Sequence, residues 1–176
     1  MNDPLQRVPS VKRRDFLKTA SGALAAPWIA RGQVRGANER TGIGFIGAGN
    51  RGRAHMRMVQ TLKQEGLGVE LVAVSDVYRP RCESARTQFG VPRQYADHRE
   101  LLADPDVDIV CIATPDHHHG LQALNAIAAG KDIYIEKPVT HWRQFELTKR
   151  LAAAAQSSGR VITVGCQAMS DPAWRQ

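Results

Sequence analysis

The 176-residue chain is 43% hydrophobic and 23% charged, the balance of an ordinary folded domain rather than a disordered or fibrous segment. Its formal charge of +7 would suit a nucleic-acid binder, but residues 1–40 hold eight Lys/Arg against three Asp/Glu, and the remainder is nearly balanced. Without aromatic side chains interleaved among the basic ones, no nucleic-acid partner is expected. The cysteines Cys82, Cys111 and Cys166 lie far apart, with neither C-x-x-C nor metal-ligand spacing, so no disulfide framework and no metal site is expected.

The first segment reads as an address rather than a fold. Arg13-Arg14-Asp15-Phe16-Leu17-Lys18 resembles the twin-arginine translocation motif, with Lys12 where Ser or Thr usually stands. The twelve residues "TASGALAAPWIA" that follow are too short to span a membrane, which takes about 20 apolar residues. They suit the apolar core of a signal peptide, with cleavage after Ala30 or Ala37. Residues 1–40 are therefore expected to be a signal peptide and linker that engages the twin-arginine translocase and delivers the protein to the periplasm. That route carries folded passengers, so a cofactor bound beforehand would travel along. An exposed basic tail is the plainer alternative.

From Thr41 onward, strand and helix patterns alternate. "TGIGFIG" is an apolar run ending in glycine, and "RGRAHMRMVQTLKQE" follows with Ala54, Met58, Val59 and Leu62 at helical spacing. "VELVAVSD" is β-branched and ends on Asp76; residues 79–89 read as a helix stopped by Gly90 and Pro92. A short strand near Tyr95 and a brief helix come next. "VDIVCIATP" is apolar on both faces, as a central parallel strand should be. Helix "HHHGLQALNAIAAG", strand "DIYIEKP", helix "HWRQFELTKRLAAAAQSSG" and strand "RVITVGC" complete the series. Six strands with helical crossovers predict a doubly wound α/β domain of the Rossmann type over residues 41–176.

Gly47-Ala48-Gly49-Asn50-Arg51-Gly52 fits G-x-G-x-x-G between a strand and a helix. In that setting Gly47 allows the sharp turn, Gly49 admits a pyrophosphate close to the backbone, and Gly52 lets the helix pack on the sheet. Asn50 and Arg51 occupy the helix start, whose free N–H groups suit phosphate. Three glycines would serve a plain tight turn equally well. Asp76, 24 residues beyond Gly52, is placed to accept from a ribose diol and to repel a 2′-phosphate. NAD is thus favoured over NADP, with Arg79 and Arg81 close enough to temper the preference.

"ATPDHHHG" follows the fourth strand and should face the crevice. Asp116 is expected to cap the next helix behind Pro115. His117, His118 and His119 point three ways on a helix, which argues against a metal site. "EKP", Glu136-Lys137-Pro138, ends the fifth strand at the switch point. Lys137 there could stabilise an alkoxide, or simply be solvated; Glu136 could be its salt partner or a strand-end acid.

The glycine loop, "VAVSD", "ATPDHHH", "AGKDIYIEKP" and "VITVGCQ" together resemble the glucose–fructose oxidoreductase, inositol dehydrogenase and MocA family, Gfo/Idh/MocA. The resemblance implies a catalytic role for Lys137. It also implies cofactor-side positions for Thr114, Pro115 and His119 and a cis peptide before Pro138; Glu136 is counted with them as a cofactor-binding candidate. It further implies a sugar or polyol substrate oxidised by hydride transfer to NAD. Family members carry a second, substrate-binding domain that often forms the oligomer interface, so self-association is an open expectation. "QAMSDPAW" looks like the approach to that domain, and the chain reads as a truncated form. Two other readings stay open: a nucleotide-holding module without catalysis, and a relative of the NAD-dependent glycoside hydrolases.

Overall fold

The computed structural model describes residues 40–166. The twin-arginine segment and "QAMSDPAW" lie outside the described residues. The elements run β1 (Thr41–Ile46), α1 (Asn50–Gln64), β2 (Val69–Ser75), α2 (Arg79–Phe89), β3 (Arg93–Tyr95) and α3 (His98–Ala103). They continue β4 (Ile109–Ile112), α4 (Asp116–Ala128), β5 (Asp132–Glu136), α5 (Phe145–Ser158) and β6 (Ile162–Gly165). The expected six strands are all present and all parallel, in the order β3-β2-β1-β4-β5-β6. This is the doubly wound order, whose direction reverses between β1 and β4.

The sheet is covered on both faces, which is why its central strands are apolar throughout. On one face Phe45, Leu71, Val74 and Cys111 pack against Met56 and Val59 of α1 and Cys82, Ala85 and Phe89 of α2. On the other, Ile46, Val110, Ile112, Ile133 and Ile135 meet Leu101 of α3, Ala123 and Ala126 of α4, and Leu151 of α5. Cys82 and Cys111 are therefore packing groups, while Cys166 is exposed; all three are free thiols. Helices α2 and α5 end at Gly90 and Gly159 in the left-handed conformation, the usual glycine stop.

Three local expectations need correction. Met58 points into solvent, and Met56 takes the core position on α1, because the helix turns its Gly52–Met56–Val59 face to the sheet. Asp116 is the first helical residue of α4 rather than its cap; Pro115 holds the cap position and no side chain caps this end. Helix α5 starts at Phe145, not near His141, since His141 and Gln144 close a turn first: Gln144 N–H donates to the His141 carbonyl. Among the described residues, no helix is long and apolar enough to cross a membrane.

Candidate functional site

The site begins where β1 ends. Gly47 takes φ +98°, where glycine alone escapes a steric penalty, and a Cβ there would stand 2.6 Å from the Ala113 carbonyl oxygen. Gly52 sits so close to the Gly47 carbonyl that a Cβ would overlap its oxygen. Gly49 is different: it caps α1 in an extended conformation, and a Cβ on it would meet nothing within 4 Å. The turn is thus packed inside and open outside. Asn50 and Arg51 are exposed on its outer rim. No side chain caps α1 and no acid stands in its first turn, so its leading N–H groups and the positive end of its dipole are left for an anion.

Asp76 follows β2 directly. Its Oδ2 accepts from Ala48 N–H at 2.8 Å, and its Oδ1 from Tyr78 N–H at 2.9 Å. The carboxylate is therefore fixed to the glycine turn, and each oxygen keeps a further lone pair for an outside hydroxyl. Arg81 stands 4.0 Å from Oδ2, whereas Arg79 turns away to Glu83 at 2.8 Å. Two fixed acceptors suit a vicinal diol, and the negative charge disfavours a phosphate in the same place.

Across the crevice, Thr114 lies beside Gly47: a Cβ on Gly47 would come 3.1 Å from the Thr114 methyl. The Thr114 hydroxyl donates to Gln122 at 2.6 Å, and its carbonyl lies 2.8 Å from Nε2 of His119. Nδ1 of His119 lies 2.7 Å from the Pro138 carbonyl. This buried ring therefore sits between the Thr114–Pro115 loop and the turn after Lys137, with a carbonyl oxygen within hydrogen-bond distance of each nitrogen. The structure thus places His119 behind the crevice wall, with both ring nitrogens engaged by protein. The Lys137–Pro138 peptide is cis, and Lys137 itself is exposed.

Glu136 is buried on the α1 side of β5 and does not pair with Lys137. Its Oε1 accepts from Arg51 Nε at 2.7 Å and lies 2.7 Å from His55 Nε2. Burial pushes this carboxyl up, but the hydrogen bonds from Arg51 and His55 outweigh burial and hold it below its ordinary value. His55 also meets Tyr134 edge-on, with ring centroids 5.2 Å apart. Sequence reasoning missed His55; its signal is the four-residue spacing from Arg51, which puts both on one face of α1.

The predicted residues form one connected set: Asp76 holds the glycine turn, the turn abuts Thr114, His119 joins Thr114 to Pro138, and Glu136 holds Arg51. The open space outside Gly49, the uncapped helix start and the half-satisfied carboxylate of Asp76 fit the phosphates and ribose of a dinucleotide. Comparison with known proteins agrees. The inositol 2-dehydrogenase of Acidothermus cellulolyticus is 37% identical over 133 residues, covering 75% of this chain and 38% of that protein. The scyllo-inositol 2-dehydrogenase (NAD(+)) of Bacillus subtilis is 32% identical over 129 residues, 73% of this chain and 36% of that one. Among solved structures, myo-inositol dehydrogenase from Lactobacillus casei in complex with NAD(H) and myo-inositol superposes with a TM-score of 0.65 at 34% identity. That superposition covers 72% of this chain and 37% of that one. The chain thus spans rather more than a third of the length of these relatives. A family model described as the oxidoreductase family with NAD-binding Rossmann fold matches residues 41–166. A match over that much of the chain, on a crevice built for a dinucleotide, makes this protein a member of the Gfo/Idh/MocA family of NAD-binding oxidoreductases.

Proposed function

We propose that this chain supplies the cofactor-holding side of an exported NAD-dependent dehydrogenase acting on a polyol or related sugar. The observation that carries the reading is the connected crevice, with Lys137 exposed between two anchored neighbours, Glu136 and Pro138. The start of α1 would hold the pyrophosphate, Asp76 the adenosine ribose diol, and Thr114 and Pro115 the wall beside the nicotinamide. NAD supplies the hydride acceptor when bound. Lys137 would donate a hydrogen bond to the substrate oxygen and stabilise the alkoxide left when the hydroxyl gives its proton to a base contributed by the substrate-binding domain of the family. The polyol class is supported by relatives named as inositol dehydrogenases.

The test is titration calorimetry of the full chain with NAD and NADP, beside Asp76→Ala. NAD should bind more tightly than NADP. Asp76→Ala should weaken NAD by roughly tenfold to a hundredfold, the size of lost hydrogen bonds to a charged group. Turnover of a panel of cyclic polyols, measured with a substrate-binding domain of the family joined to the chain, should appear and should be lost in Lys137→Met while NAD affinity persists. NAD binding without turnover on any polyol would leave a nucleotide-holding module instead.

Export is supported by Arg13 and Arg14 ahead of a short apolar stretch. Replacing both arginines by lysine should leave the protein in the cytoplasmic fraction, whereas the parent reaches the periplasm through the translocase. An unchanged distribution between fractions would sink that part of the reading.

A further inference from the structure

Strand β1 leads into the glycine turn, strand β5 leads into Lys137, and β4 lies between them. The two parts of the crevice that must act on one bound molecule are therefore carried two strands apart. Among the described residues, the only hydrogen bonds joining α1 to β5 are those of Arg51 and His55 to Glu136. Arg51 belongs to the glycine turn itself. His55 lies one helical turn further on, and most of its surface is covered.

We propose that His55 is a positioning residue for Lys137, acting through Glu136. The geometry is economical. Glu136 and Tyr134 share one face of β5, because side chains alternate along a strand. The His55 ring packs edge-on against Tyr134 while Nε2 meets Glu136 Oε1, so one ring reads two successive positions of that face. Arg51 approaches the same oxygen from the solvent side, with its guanidinium half-exposed. Two donors on one carboxylate oxygen fix the Glu136 side chain and with it the backbone from which Lys137 departs. The helix that presents N–H groups to the pyrophosphate is in this way bolted to the residue next to the lysine. His119 restrains the other side of Lys137 through the Pro138 carbonyl, so the lysine stands between two histidine anchors from different helices.

The inference rests on the function proposed above and is tested without turnover. NADH affinity of the full chain is measured by calorimetry. The shielding of Lys137 by NADH from trace acetylation is read by mass spectrometry. The variants are His55→Met, which fills the ring's space without a donor, and His55→Gln, whose amide N–H can reach Glu136. His55→Ala replaces the methionine variant should that one not fold. Wild type should bind NADH and shield Lys137. His55→Met should keep NADH affinity within about tenfold, the scale of one lost hydrogen bond, yet lose the shielding. His55→Gln should restore it. Full shielding in His55→Met overturns the positioning role and leaves the proposed function standing. A wild-type chain that binds no nicotinamide nucleotide overturns both.

Discussion

Glu136 sits in a place where a lone carboxylate would be costly, since burial by itself disfavours its charge. The hydrogen bonds from Arg51 and His55 reverse that, and its folded pKa lies below the ordinary 4.5. The sign of the pH effect follows. Above pH 4.5 the ionised group contributes its full share of stability, and the share is lost as pH falls through the depressed folded value. Glu136→Gln keeps an acceptor at Oε1 but cannot titrate. Its acid unfolding curve should therefore be flatter below pH 4.5 than the parent's, by denaturant melts taken across that window. Glu70 is depressed as well, by Lys63, but it lies elsewhere on the surface and cancels in the difference. Parallel curves would show that Glu136 has the same pKa folded and unfolded. This anchor was hidden in the sequence because His55 and Glu136 are 81 residues apart, and nothing local to either announces the other. Gly47 and Gly52 were legible for the opposite reason: the turn itself dictates them, and Asp76 Oδ2 accepts from the backbone N–H of Ala48 in that turn.

Helix α1 shows how two glycines of one motif answer to different demands. Gly52 is constrained from inside, by the Gly47 carbonyl; Gly49 has open space in front of it. Gly52→Ala should cost about 1–3 kcal/mol of stability, as overpacking does, because backbone rather than a flexible side chain must yield. Gly49→Ala should leave the melting temperature nearly unchanged but weaken nucleotide binding, its methyl group occupying the space beside the helix start. Thermal melts and NAD titrations of both variants read this out, and a destabilised Gly49→Ala would contradict the open turn. Element identity was readable along most of the chain because β-branched runs and helical periodicity seldom coincide. Boundaries were less readable. At α5, Gln144 satisfies the His141 backbone with its own side chain, so a turn replaces the expected first helical turn. At α1, Ala54, Met58, Val59 and Leu62 gave a plausible apolar stripe. The buried face instead includes Gly52, a residue with no hydrophobic signal at all.

At the scale of the whole molecule, the order β3-β2-β1-β4-β5-β6 opens the crevice between β1 and β4 and sets the lysine on the far side of β4. That order was legible because right-handed crossovers leave few ways to arrange six parallel strands. Around the last helix and strand the outer surface carries large apolar side chains. There Leu121, Trp142, Phe145, Val161 and Val164 are all exposed. Among the described residues β6 is the edge strand of the sheet, paired with β5 on one side. Such a surface favours contact with other apolar groups.

The cysteines carry a last consequence. Cys82 and Cys111 fill the interior as small apolar groups, burial pushing the Cys111 thiol up to about 12, and Cys166 stands alone at the surface. No covalent cross-link therefore waits to be made between them, and the domain can close fully in a thiol-reducing solvent. Cys166, exposed where the other two thiols are buried, is the thiol that an oxidant or alkylating reagent would reach first.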